Sequence, residues 1–356
     1  MKIEKIDSNF AVGEVTADGM KAYDIHTSPF KIYGLCGCKQ GNYRRMPREV
    51  AEKVSEGVFA LHTNTAGGRI RFKTDSAKIA LRCVLPDVCL FPHMPLTGTT
   101  CFDLYADGEY IKPFIPQGDF FGKAREEGEK EFYSEVNLGS RKMRDILINF
   151  PLYNNVSAVY VLLEDGAAVE EAQEYTHAKP VVFYGSSITQ GGCASHSGNS
   201  YEAMISLKLD CDFVNLGFSG NCKAEDEMAH YIASLDMSVF VYDYDHNAPD
   251  VEWLTKTHSR FFEILREAQP ELPVIMVSVA DKHYGNDVEK RKAIIRSTYE
   301  TAVANGDKNV YFIDGGEIYG DKADLATVDY VHPNDLGFYL MAEKIGGVVE
   351  SVLRGK

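Results

Sequence analysis

From residue 180 onward, five short apolar runs alternate with longer stretches of helical character, and few folds accommodate that rhythm. The β-like runs cover residues 181–184, 213–216, 239–242, 274–279 and 310–313 and are rich in Val, Ile, Phe and Tyr. Helix-like stretches lie near residues 201–208, 224–234, 251–267 and 288–304. A last one runs over 334–353, where Leu336, Leu340, Met341, Ile345 and Val348 recur at helical spacing. Apolar strands joined by helices predict a parallel sheet covered on both faces. In such a sheet, functional residues collect just past the carboxyl ends of the strands.

Four blocks sit at such places. The first is Gly185-Ser186-Ser187-Ile188-Thr189-Gln190-Gly191, directly after Pro180-Val181-Val182-Phe183-Tyr184. There a strand hands over to a helix, a side chain is exposed at the rim, and backbone N–H groups point outward to hold an anion. Alone, this block also describes a serine that caps a helix. The second is Asn215-Leu216-Gly217-Phe218-Ser219-Gly220-Asn221, the third is Asp245-His246-Asn247, and the fourth is Asp329-Tyr330-Val331-His332-Pro333-Asn334. Read singly, Gly220 is equally a turn glycine, Asn247 a turn residue before Ala248-Pro249, and Asp329 with His332 a structural pair ahead of a helix.

The first 175 residues follow another pattern. Short β-type runs at 69–73, 79–84, 102–105, 134–136, 145–149 and 158–163 are separated by turns such as Ala106-Asp107-Gly108 and Pro116-Gln117-Gly118. This spacing predicts an antiparallel sandwich. The polar, small-residue stretch 166–179 is the expected boundary, giving domains of 1–175 and 176–356 in the 356-residue chain.

Composition excludes some partners. Net charge is −15, which argues against nucleic acid and anionic membrane surfaces. No apolar stretch is long enough to span a bilayer. Met1-Lys2-Ile3-Glu4-Lys5-Ile6-Asp7 has no apolar signal-peptide core, so a cytoplasmic location is expected, although a trimmed secreted chain would look the same. The eight cysteines lack zinc-site spacing. Cys36-Gly37-Cys38 could be redox-active or bind metal, but the cysteines read chiefly as small reduced hydrophobes.

Taken together and in this order, the four blocks resemble the SGNH (GDSL-type) hydrolases, named for a Ser, Gly, Asn and His on separate blocks. Asp329-x-x-His332-Pro333 is the most specific part. Phe102-Asp103-Leu104-Tyr105 resembles the GxDLY motif of a β-sandwich domain that precedes some of these hydrolases, with Cys101 in place of the usual small residue. Gly68-Arg69-Ile70-Arg71-Phe72 and Tyr43-Arg44-Arg45-Met46-Pro47 fit the same pattern. The resemblance implies an α/β chain: a flavodoxin-like domain with about five parallel strands flanked by helices, preceded by an antiparallel, jelly-roll-like β-sandwich.

It also implies ester hydrolysis. Ser187 is then the nucleophile, chosen over Ser186 by its register with Ile188, His332 the base and Asp329 the residue that holds the imidazole. The oxyanion donors are the backbone N–H groups of Ser187 and Gly220 and the side-chain amide of Asn247. No metal or cofactor is required. Two departures stand out: Gly185-Ser186-Ser187 replaces Gly-Asp-Ser, and Asp245-His246-Asn247-Ala248 replaces Gly-x-Asn-Asp, bringing Asp243 and Asp245 near a site meant for an oxyanion. His246, the loop 191–198 and residues 281–286 are candidate pocket elements.

Two-domain relatives of this type act on acetylated carbohydrates, so the expected substrate is a short-chain, acetyl ester of a small saccharide. No amphipathic lid suits a lipid interface. A short-chain thioesterase or lysophospholipase is an alternative within the superfamily. A glycan-binding protein with a weak or inactive hydrolase domain is another, and the sandwich as a surface for homo-oligomer formation is a third.

Overall fold

The five apolar runs of the C-terminal half form one parallel sheet, and the order of its strands decides where the four blocks meet. In the computed structural model, residues 19–116, 120, 122–124, 126, 128–280 and 287–355 are described. The chain divides into two compact units, residues 1–45 with 63–174 and residues 46–62 with 175–356. In chain order the first 174 residues contain β1 (Met20–Asp24), β2 (Lys31–Tyr33), α1 (Arg48–Val54), α2 (Glu56–Leu61), β3 (Arg69–Thr74), β4 (Lys78–Leu85), α3 (Leu96–Thr99), β5 (Asp103–Ala106), β6 (Glu109–Pro113), β7 (Lys130–Asn137), β8 (Arg144–Asn149), β9 (Ala158–Glu164) and β10 (Val169–Glu170). Then follow β11 (His177–Gly185), α4 (Ser187–Gln190), α5 (Tyr201–Leu209), β12 (Cys211–Gly217), α6 (Asp226–Ala233), β13 (Val239–Asp243), α7 (Val251–Ala268), β14 (Val274–Val277), α8 (Val288–Ala304), β15 (Val310–Ile313), α9 (Gly316–Tyr319) and α10 (Asp335–Leu353).

The first unit is the expected antiparallel sandwich. One sheet has the order β1-β9-β4-β7, the other β10-β3-β8-β5-β6, with β2 also pairing β3. Along β7, Phe132, Ser134 and Val136 are buried while Glu131 and Asn137 are exposed, the period-two pattern of a half-buried strand. Phe72, Phe102, Phe132 and Phe150 fill one shared core with Ile70, Leu81 and Ile148. The Phe102-Asp103-Leu104-Tyr105 motif supplies the start of β5, where Asp103 is buried and accepts a 2.7 Å hydrogen bond from Asn149 Nδ2. Of the Pro116-Gln117-Gly118 turn, Gln117 and Gly118 lie outside the described residues.

The second unit carries the parallel sheet, order β12-β11-β13-β14-β15. Counting its strands from β11, this is the 2-1-3-4-5 order of the flavodoxin-like fold, whose switch point lies between the first and third strands. All five residues of β13 and all four of β14 are buried, as a strand covered on both faces requires. One face packs against Met228, Ala229 and Ile232 of α6 and against a stack of rings shared with α7, with Tyr242 centred 4.9 Å from Phe261 and 4.7 Å from His258. Residues 46–62, which include α1 and α2, join this second unit: Met46, Ala51, Val54 and Val58 lie in the same core as Met228, Ala229 and Ile232. Among the described residues no helix is long and apolar enough to cross a membrane.

Gly217, at the end of β12, lets α4 approach its backbone closely. A Cβ there would stand 2.2 Å from the Gln190 backbone nitrogen, and backbone cannot swing aside. By contrast, a Cβ at Gly347 on the exposed side of α10 would meet nothing within 4 Å. Gly217→Ala should therefore cost roughly 1–3 kcal/mol in urea unfolding. Gly347→Ala should be neutral or stabilise by up to about 1 kcal/mol, because it removes unfolded-chain freedom from a helix interior.

Candidate active site

Ser187 is placed by the handover from β11 to α4. Gly185 ends the strand, Ser186 is extended and its hydroxyl accepts the Ile188 N–H at 3.2 Å, and Ser187 opens the short helix. The helix stops at Gly191, whose φ of 98° is left-handed and suits glycine. The helix cap is thus Ser186, which leaves the Ser187 hydroxyl available. It lies 2.9 Å from His332 Nε2.

His332 comes from the loop ahead of α10, and that loop is strongly tied. Val328 N–H donates to the His332 carbonyl at 2.9 Å, Asn334 N–H to Ala326 at 3.0 Å, and Asn334 Nδ2 to the Leu325 carbonyl at 2.7 Å. Asp329 then faces back along the chain. Its Oδ1 accepts the backbone N–H groups of Val331 at 3.2 Å and His332 at 2.8 Å, and its Oδ2 lies 2.8 Å from His332 Nδ1. Tyr330, between them, takes a left-handed φ of 69°, which gives this tight turn its shape. Burial alone would raise the Asp329 pKa, but the hydrogen bonds from the His332 backbone and ring outweigh it and hold the carboxyl below its ordinary value. A carboxylate facing Nδ1 requires a proton on Nδ1, which leaves the Nε2 lone pair for the Ser187 O–H.

The turn after β12 carries Gly220. Asn221 N–H closes it onto the Phe218 carbonyl at 2.9 Å, and Gly220, third in the turn, has φ 69°. Three hydrogen bonds tie this turn to its neighbours. Phe218 N–H donates to the Gly185 carbonyl at 2.9 Å, Ser219 N–H to Gln190 Oε1 at 3.0 Å, and Cys222 N–H to Asn247 Oδ1 at 3.2 Å. The last fixes the Asn247 carboxamide: oxygen must face the Cys222 N–H, so the NH2 group faces the other way. Asn247 itself sits on a single 3-10 turn, Asp245–Asn247, just past β13. The blocks carrying Ser187, Gly220 and Asn247 are therefore hydrogen-bonded to one another at the carboxyl edge of the sheet, and Ser187, His332 and Asp329 form a continuous chain of hydrogen bonds.

The acidic neighbours are accounted for in part. Asp245 is fully buried and its Oδ2 accepts the Val279 N–H at 2.9 Å, two residues past β14. Burial pushes its pKa up to about 6. Burial also pushes Asp243 well above the ordinary carboxyl range, with the nearby Asp245 charge adding to it. His246 is buried and pulled down to about 3 by desolvation first, then by the charges of His332 and Arg291. The loop 191–198 is well anchored: Cys193 and Ala194 are buried, and Ser195 N–H donates to Asp335 Oδ1 at the start of α10 at 2.9 Å. Burial and the Asp329 charge push the Cys193 thiol up to about 12. Residues 281–286 lie outside the described residues.

Two residues that hold the site together carry no sequence signal of their own. Gln190 lies inside the Gly185–Gly191 motif without an obvious part in it, and Arg291 sits among the charged residues Glu289-Lys290-Arg291-Lys292 of α8.

Residues 178–350 match the profile of the GDSL-like lipase/acylhydrolase family, and residues 20–169 match that of the N-terminus of SGNH hydrolase-type esterases. No curated protein sequence matches the chain. Among solved structures, a Bacteroides ovatus protein described as a candidate GDSL-like lipase is 26% identical with a TM-score of 0.80, covering 94% of this chain and 98% of its own. The salicylyl-acyltransferase SsfX3 from a tetracycline biosynthetic pathway is 20% identical with a TM-score of 0.73, covering 96% and 99%. The acetyl xylan esterase Est2A from the rumen bacterium Butyrivibrio proteoclasticus is 12% identical with a TM-score of 0.57, covering 94% and 99%. The last two share the fold.

The buried histidine has a consequence for acid stability. Below the ordinary His pKa of 6.5 the unfolded chain gains a proton at position 246 that the folded protein refuses down to about 3. Stability from this residue is complete above about pH 6.5 and declines as pH falls towards about 3. Asp245 works in the opposite sense, since the fold binds its proton first as pH drops through about 6. His246→Asn should shrink the loss of unfolding free energy between about pH 7 and pH 5 by on the order of 2 kcal/mol, as read from urea curves at each pH. An unchanged loss would show that His246 takes up its proton as readily in the fold as in the unfolded chain.

Proposed function

The chain belongs to the GDSL-like lipase/acylhydrolase family over residues 178–350, and from that premise we propose that it is a serine esterase that removes short acyl groups, acetyl foremost, from small carbohydrate esters. The observation that carries the proposal is the relay from Ser187 Oγ to His332 Nε2 at 2.9 Å and from His332 Nδ1 to Asp329 Oδ2 at 2.8 Å. Ser187 attacks the ester carbonyl while His332 takes its proton. Asp329 keeps the imidazole in the required tautomer and stabilises the imidazolium. The Ser187 and Gly220 N–H groups and the Asn247 NH2 stabilise the developing oxyanion. His332 returns the proton to the leaving alcohol, and a water, deprotonated by His332, then cleaves the acyl-serine to release the acid.

The acetyl and carbohydrate parts of this reading take their lead from the fold shared with an acetyl xylan esterase. Eight cysteines without a disulfide fit a reducing compartment, in keeping with a cytoplasmic location.

Aryl acetate, butyrate and octanoate esters and a panel of sugar acetates, assayed with wild type and Ser187→Ala, test the proposal. Turnover should be greatest on acetates and fall at least about 10³-fold in Ser187→Ala, while Asn247→Ala should lose on the order of 10²–10³-fold in kcat. Full activity in Ser187→Ala would remove the serine from the mechanism. No turnover of any ester by folded wild type would remove the esterase reading itself.

A further inference from the structure

We propose that Arg291 is a positioning residue that sets the Asn247 amide for the oxyanion; this rests on the esterase reading of the same site. Arg291 lies on α8, far from the four blocks in sequence, yet the residue is only 6% exposed and its guanidinium reaches the 3-10 turn that carries Asn247. One terminal nitrogen donates to the Asp245 carbonyl at 2.7 Å and to the Ala248 carbonyl at 3.1 Å; the other donates to the Ala248 carbonyl at 3.1 Å. These are the carbonyls on either side of His246 and Asn247, so a planar, rigid fork clamps both ends of the segment.

The clamp is needed because this turn is built from few internal bonds. Asn247 N–H reaches the Tyr244 carbonyl at 2.9 Å and Ala248 N–H the Asp245 carbonyl at 3.2 Å, after which Pro249 offers no N–H. Further bonds to the segment come from Arg291, from Val279 N–H on the Asp245 carboxyl, and from Cys222 N–H on Asn247 Oδ1. The Asp245 anchor acts ahead of Asn247 and the Cys222 N–H holds its amide oxygen, while among the described residues Arg291 grips the Ala248 carbonyl that follows it. Losing it frees the turn to rotate and takes the NH2 group off the line of the oxyanion, with a ground-state substrate bound as before.

Kinetics of Arg291→Met, Arg291→Lys, Asn247→Ala and the Arg291→Met/Asn247→Ala double variant on an aryl acetate test this. Arg291→Met should lower kcat by roughly 10- to 100-fold with KM nearly unchanged, since a small misplacement of a donor acts on the transition state. Arg291→Lys, a point charge without the fork, should recover only part of that loss. The double variant should be no slower than Asn247→Ala alone, because both changes remove the same donor. Multiplying losses, or an Arg291→Met enzyme at wild-type kcat beside a crippled Asn247→Ala, would overturn the positioning role and leave the esterase reading intact. An unaffected Asn247→Ala would overturn the oxyanion assignment and this proposal with it. A crystal structure of Arg291→Lys decides independently of turnover: Asn247 should shift and its Oδ1 part from Cys222 N, and an unmoved turn refutes the proposal.

Discussion

The carbonyl of Gly185 is the point on which the second unit turns. It accepts the Phe218 N–H at 2.9 Å, and Gly185 pairs with Gly217 on one side and Asp243 on the other, so β11, β12 and β13 end in step. A side chain at Gly185 would stand 2.0 Å from Thr189 Oγ1 and 2.4 Å from the Asp243 carbonyl oxygen. Three strands ending level can release three turns into one small volume only if the residue at their junction occupies almost none of it. Inside that junction, the buried Asn215 amide joins the strand to the helix, donating to Thr189 O at 2.6 Å and accepting Gly217 N–H at 2.9 Å.

Around this junction burial favours the neutral form of several groups. Buried carboxyls at Asp243 and Glu202 are pushed well above their ordinary range by desolvation, and His246 is pushed down. Each shift favours the neutral form of its group. The group driven the other way is Asp329, where donors from its own turn outweigh burial. A single anion facing His332 Nδ1 is the charge arrangement that general-base chemistry at Nε2 calls for, and neutral neighbours avoid competing for that proton.

Much of this was legible along the chain, and for physical reasons. The five β-runs are apolar at nearly every position because both faces of the sheet are covered, and that signal is local. Asp329 and His332 lie on one short turn, so their spacing alone forecasts a contact, and the 2.8 Å separation follows. Helix α10 appears where its periodic apolar residues place it. What was not legible depends on distant partners. Residues 46–62 sit amid β-type sequence, and their apolar faces are explained by Met228, Ala229 and Ile232, more than 160 positions downstream. Gln190 and Arg291 matter through the carbonyls and N–H groups they meet, and a backbone group leaves no trace in the residue type of its partner.

Asp245 stands where the resembling sequence pattern has a glycine, and its surroundings show what holds the turn ahead of Asn247. A glycine makes a turn easy to form but does nothing to hold it, because its conformational freedom is also unfolded-state freedom. Here a fully buried carboxylic acid accepts the Val279 N–H and lies within the field of the Arg291 guanidinium, which in turn holds the Asp245 and Ala248 carbonyls. Burying an acid and a guanidinium is costly unless each finds hydrogen-bond partners. The guanidinium finds them on carbonyls that bracket His246 and Asn247, and the acid finds one on the Val279 N–H past β14, so part of the desolvation cost is offset by fixing the loop. Rigidity that a packed glycine turn derives from its surroundings is supplied here by hydrogen bonds across three elements, β13, β14 and α8.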